Sequence, residues 1–165
     1  MQRALELDPN LAKAHVLLAQ INQRQWQWAE AEAEYKRALD LNPNDAMAHM
    51  GLADWLMCHG RMDEALDRAR HGRELDPLGT SAGSIAFILF QARRYDEAIQ
   101  ELHSQLEVRP DDAWSMWLLG FVLIAKGQSE EAIPVLQKTA TIMHRTAGDC
   151  ECSRWPPHNS ASLYQ

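Results

Sequence analysis

The stretch from Arg37 to His49, "RALDLNPNDAMAH", restates Arg3 to His15, "RALELDPNLAKAH", at an interval of 34 residues with nine of thirteen positions identical. A recurrence at about 20 to 50 residues marks a fold assembled from one supersecondary unit, and it outranks any single motif. Outward from this phrase, closing prolines fall at Pro9, Pro43, Pro77 and Pro110, in steps of 34, 34 and 33. A second signal runs in phase with them: Glu30-Ala31, Asp63-Glu64-Ala65, Asp96-Glu97-Ala98 and Glu130-Glu131-Ala132.

Each interval divides into two helices. From Ala46, the residues His49, Leu52, Ala53 and Leu56 stand at i, i+3, i+4 and i+7, which is one face of a helix. Gly60 stops that helix. Asp63 and Glu64 open the next, where negative charge suits the exposed N–H groups, and Ala65, Leu66, Ala69 and Gly72 carry its inner face. Pro77 closes the unit, because the residue before a proline is pushed out of helical geometry. The block from Ala113 reads the same way, with Met116, Leu119, Gly120 and Leu123 on one helix, Gly127 as the stop, and Ala132, Leu136 and Thr139 on the next. The small residues Ala31, Ala65, Ala98 and Ala132 mark where two helices cross closely.

On these residues the chain resembles a tetratricopeptide repeat (TPR) protein, whose unit is a helix-turn-helix ended by proline. The first unit matches with His15, Leu18, Ala19 and Asn22, then Ala31, Tyr35, Ala38 and Pro43. The third matches with Ala82, Ile85, Ala86 and Leu89, then Ala98, Leu102, Gln105 and Pro110. The resemblance implies an all-α, right-handed superhelix of antiparallel helix pairs, an α-solenoid. Units are expected at 12–45, 46–78, 79–112 and 113–146, after a partial unit at 1–11 and before an irregular tail at 147–165. The wording "LDPLGTS", "ARRYDEAI" and "EEAIPVLQK" is also similar to the repeats of bacterial multidomain regulators.

The resemblance further implies a function. In TPR proteins the first helices of successive units line a concave groove that binds peptides or partner helices. Here that face comprises Lys13, Val16, Gln20 and Gln23, then Met47, Met50, Asp54 and Met57, then Thr80, Gly83, Phe87 and Phe90, and last Trp114, Trp117, Phe121 and Ile124. The candidate partner-binding residues are Gln20, Gln23, Met47, Met50, Asp54, Met57, Phe87, Phe90, Trp114, Trp117 and Phe121. The face grades from polar to apolar. A helix apolar all round, as at 113–125, is normally buried, so the aromatics serve either an apolar peptide or packing against a further domain, a superhelical turn or a second copy. A Lys and Asn array for clamping a C-terminal carboxylate is absent from the groove.

Composition narrows the remaining classes. With 165 residues, 46% hydrophobic and 24% charged, the chain suits one folded domain. Its net charge of -7 and lack of a basic cluster argue against nucleic acid, and no apolar run suits a membrane span. Three cysteines, Cys58, Cys150 and Cys152, form no disulfide framework and favour a reducing compartment, read as the cytoplasm. No catalytic residues and no cofactor are expected. "GTSAGS", Gly79–Ser84, lacks the Lys-Ser/Thr ending of a phosphate loop, and Cys150-x-Cys152 with His144 and His158 fits no standard zinc spacing, so no metal is expected.

Two local departures are anticipated. The glycines of "GTSAGS" weaken the first helix of the third unit, and Pro134 bends or locally loosens the second helix of the fourth near Glu130. Neither terminus carries an amphipathic capping helix. The chain is therefore expected to be a piece of a longer repeat protein, a frame shift after about Gly148 being one form of that reading; the alternatives are that its uncapped ends are a homo-oligomer contact or that its tail folds back over the groove. As a piece it would serve as the sensory or regulatory segment of a larger signalling enzyme or transcription regulator; otherwise it is a non-catalytic interaction scaffold.

Overall fold

A computed structural model describes residues 11–77 and 82–149. Eight helices follow one another among them: α1 (Ala12–Arg24), α2 (Trp28–Leu41), α3 (Ala46–Cys58), α4 (Met62–Leu75), α5 (Ala82–Gln91), α6 (Tyr95–Val108), α7 (Ala113–Lys126) and α8 (Ser129–Asp149). No strand occurs among the described residues.

Each odd-numbered helix folds back on the even-numbered one after it through a turn that places one residue in left-handed geometry. Trp26, Gly60, Arg93 and Gly127 have φ of 62°, 74°, 59° and 87°. In every turn this residue's N–H bonds the carbonyl three back, and the next N–H bonds the carbonyl five back, as in Gly60 to Met57 and Arg61 to Leu56, both 3.0 Å. This is the Schellman closure, which satisfies the orphan carbonyls of a helix end. The sequence marks it by glycine at Gly60 and Gly127. Trp26 and Arg93 adopt the same geometry although an L side chain costs about 1–2 kcal/mol there.

Between pairs the chain is extended and recapped. The Asp45 carboxylate accepts from Ala48 N–H, and Asp112 accepts from Ser115 N–H, each at 3.0 Å, fixing the starts of α3 and α7. His49, expected on a packing face, is buried, and its Nε2–H donates to the Pro43 carbonyl at 2.9 Å. Burial pushes its pKa down.

The helices form two layers. Successive first helices touch, α1 with α3, α3 with α5 and α5 with α7, whereas α2, α4, α6 and α8 meet one another little or not at all. The first-helix layer is thus the inner, concave one. Between the layers lies a continuous core that includes Ala31, Ala65, Ala98 and Ala132, all essentially without solvent contact. These small residues let neighbouring helices approach, as the sequence required.

Glycine does the same on the inner layer. A Cβ on Gly51 would lie 2.3 Å from the Tyr35 ring, and one on Gly120 would lie 2.4 Å from Leu136. Both glycines are therefore contact points between helices rather than breaks.

The anticipated departures resolve unevenly. α5 is the shortest helix, at ten residues, and begins at Ala82; residues 79–81 lie outside the described residues. Contrary to the expected loosening, α8 runs unbroken through Pro134 to Asp149. Proline removes one hydrogen bond, to the carbonyl of Glu130, and Glu130 is exposed, so water can take its place. α8 also continues past residue 146, and the tail from Cys150 lies outside the described residues.

Candidate functional site

The concave layer carries two different surfaces. On α1 to α3 a recess of about 530 Å³ opens between helices, walled by Gln20, Gln23, Arg24, Trp28, Tyr35, Met47, Met50, Gly51 and Asp54, with Asp76 and Ser84 toward α5. Its size falls in the ordinary range for ligand pockets. Of the eleven candidate residues, five stand here: Gln20, Gln23, Met47, Met50 and Asp54.

Tyr35 forms the back of the recess. Its ring is buried over Gly51, and its hydroxyl donates to Gln23 Oε1 at 3.1 Å. Burial, reinforced by the Asp54 carboxylate and opposed by Arg24, pushes the phenol up to about 12, so it stays neutral. Asp54 keeps an open side toward the recess, yet the concave walls displace much of the water around it. Burial thus raises its carboxyl to about 6.

The second surface is a ledge of rings on α5 and α7. Phe87 lies 6.3 Å from Phe90 and 6.4 Å from Trp114; Trp114 stacks on Trp117 at 5.1 Å, and Trp117 meets Phe121 at 4.4 Å. Trp114 is 50% exposed and Phe121 42%, an unusual state for neighbouring aromatics. Ile124 extends the ledge, also exposed. Phe87, Phe90 and Trp117 are partly buried because their inner edges rest on the core. The remaining candidate, Met57, packs against the core and lies outside both surfaces.

The face assigned from sequence needs one correction. Val16, placed on the groove, is 2% exposed and belongs to the core. Toward the inner layer α1 is flanked by α3 as well as α2, so a position between the two faces is covered. In the same way Leu118 and Val122 on α7 are buried although neither stood on the expected packing face. Thr80 lies outside the described residues.

Sequence reasoning missed Arg24, Trp28, Tyr35, Asp76 and Ser84 as walls of the recess. Trp28 is held by a hydrogen bond from the Trp55 indole Nε1–H to its carbonyl at 2.9 Å, and His59 stacks on Trp55 at 3.9 Å. Tyr35 had been read as packing alone. The available signal was Gly51, a glycine inside a strong helix pattern that marks a close approach.

Among the described residues no three His, Cys, Asp or Glu side chains gather to hold a metal. No helix there is long and apolar enough to cross a membrane. Cys150, Cys152 and His158 lie outside the described residues.

Helical hairpins stacked in two layers, with the first helices lining a concave face, define an α-solenoid repeat protein. Two tetratricopeptide repeat family models match, one at residues 16–77 and one at 89–143, together more than two thirds of the chain. The chain belongs to the tetratricopeptide repeat family.

Solved structures agree on the fold. A crystal structure of MamA matches with a TM-score of 0.74 at 17% identity, over 89% of this chain and 86% of that one. The pilF protein of Pseudomonas aeruginosa matches with a TM-score of 0.70 at 22% identity, over 79% and 60%. YrrB, described as a TPR protein with an unusual peptide-binding site, matches with a TM-score of 0.68 at 18% identity, over 86% and 73%. No curated protein matches the chain.

Proposed function

We propose that this chain is a non-catalytic interaction scaffold that holds a peptide or partner helix in its concave groove. The observation that carries the reading is the ring ledge, Phe87, Trp114, Trp117 and Phe121, in mutual contact on the inner layer while Trp114 and Phe121 stay open to solvent. Contiguous exposed aromatics mark interaction surfaces, and Trp and Tyr anchors dominate binding energy where they are found. The peptide-binding description of YrrB supports the same class of partner. Free Cys58 fits work in a reducing compartment such as the cytoplasm.

The test is a displayed library of short random peptides selected on the intact chain, followed by calorimetric titration of the best binder. The double variant Trp117→Ala/Phe121→Ala should weaken that peptide at least about tenfold with helical content retained by circular dichroism. Unchanged affinity would sink the groove reading. So would failure to enrich any peptide, and a change in the oligomeric state of the double variant would then make the ledge a contact between copies.

A further inference from the structure

The polar half of the concave face allows a more specific statement, which rests on the groove reading above and names the chemistry of the ligand there. Asp54 stands in the recess with no hydrogen bond or salt bridge to any described residue. No cation is paired with this acid, although Arg24 lines the same recess, and the walls carry two carboxylates, Asp54 and Asp76, against that single guanidinium.

The other walls suit a cation on a flexible stem. Met47 and Met50 offer adaptable apolar contact for methylene groups, and the Trp28 and Tyr35 rings line the same space. The Tyr35 oxygen and the Gln20 amide add acceptors, while Gln23 Oε1 is already taken by the Tyr35 hydroxyl. The charged groups around the recess are Arg24 on α1, Asp54 on α3 and Asp76 after α4. Arg24 acts on Tyr35 and makes no salt bridge to Asp54. The whole chain carries a net charge of -7, which favours the approach of a cationic partner.

The recess and the ledge share α5. Ser84 closes the recess, and Phe87, one turn further along, starts the ledge, a rise of about 4.5 Å along the helix. Two residues of extended peptide span more than that.

We infer that the recess takes a lysine or arginine side chain of the bound peptide, its charged head on the Asp54 carboxylate and its stem along Met47 and Met50, while an apolar residue a few positions away lies on the Phe87–Trp114 ledge. The partner is therefore a short segment that couples one cation to an apolar anchor. Because the carboxylate must be ionised to hold the cation, binding weakens as pH falls through about 6.

The probe is the best peptide from the displayed library, prepared twice: with its lysine free and with that lysine acetylated (for an arginine, with citrulline in its place). Titrated into the intact wild-type chain at neutral pH, the neutral form should bind about tenfold more weakly. In the Asp54→Asn variant the two forms should bind alike, and the loss of affinity between about pH 7.5 and about pH 5 should disappear.

Enriched peptides without lysine or arginine would overturn the inference and leave the groove reading standing. An equal penalty for the neutral form in both proteins would do the same, by placing the cation elsewhere. No enriched peptide at all would overturn both. Asn is isosteric with Asp, and a thermal melt of the variant verifies its fold.

Discussion

The two halves of the concave face solve the same problem in opposite ways. On α1 to α3 the groove is deep because Gly51 lets the Tyr35 ring into the gap between helices, where Gln23 fixes its hydroxyl at 3.1 Å. On α5 and α7 the surface is a ledge, because large rings fill the space above the core and stack on each other. A glycine seats the Tyr35 ring as the back of a recess, and stacked aromatics build a platform. One scaffold thus presents a polar hole and an apolar step side by side.

The most severe way to break this comparison is on the ledge itself, where Trp117→Ala/Phe121→Ala is expected to abolish most peptide affinity. The single change Phe121→Ala, at a 42% exposed site, should leave the unfolding midpoint within a few degrees of wild type, measured by thermal circular dichroism. A large loss of stability would mean that the ring is core and the contrast with the recess is false.

Next in size is the glycine pair. Gly51→Ala sets a Cβ against a ring that is both buried and hydrogen-bonded, whereas Gly120→Ala meets Cγ and Cδ2 of Leu136, a half-buried side chain with no polar tether that can turn outward. Gly51→Ala should cost about 2 kcal/mol in urea unfolding and Gly120→Ala less than about 1, helix propensity offsetting part of each. Equal costs would show that Tyr35 is free to move and that the recess is not preformed.

A smaller effect separates the halves electrostatically. The Asp54 carboxyl has its folded value raised to about 6 from an ordinary 3.8, so the folded chain binds the proton more tightly than the unfolded one. That term favours folding fully below about pH 4 and is lost as pH rises through about 6. Asp54→Asn should therefore raise stability above pH 6 by at most about 1 kcal/mol, discounted for the open side of the carboxylate, and give no gain below about pH 4. Melting curves across that range would reveal the opposite trend if Asp54 were paired in solution.

The smallest expected change tests what the halves share. Arg93 holds a left-handed turn at φ 59° that Gly127 makes without strain at 87°. Arg93→Gly should stabilise by about 0.5–1 kcal/mol, and a loss instead would mean that the arginine side chain contributes more than its backbone costs.

Much of this fold was legible because the repeat signals are local. The in-phase prolines and Asp/Glu-Glu-Ala starts locate every second helix, and Ala31, Ala65, Ala98 and Ala132 name the close crossings without any structure. Trp26 and Arg93 were not legible as turn residues, since nothing about either type favours left-handed geometry; the repeat spacing alone assigns it to them. Pro134 misled for a related reason. Its cost depends on whether the freed carbonyl reaches water, and exposure of Glu130 is a property of the folded surface.

The candidate site was legible in outline and not in depth. Periodicity put Met47, Met50 and Asp54 on one face and the rings of α7 on another part of it, because helical position fixes direction. Val16 went astray because burial at the edge of a face depends on which neighbours flank the helix. Tyr35 went astray because it reaches the groove from the second layer, through the gap at Gly51.

By itself, then, the sequence determined the helical hairpins, their number across the described residues, their inner small-residue contacts and the polar-to-apolar gradient, all of which follow from spacing along one chain. Only the tertiary structure decided that the polar end is a recess holding the unpaired Asp54 carboxylate and the apolar end a stacked ledge. Depth, desolvation and ring contact arise between helices that are distant in sequence, and no periodicity within a single helix encodes them.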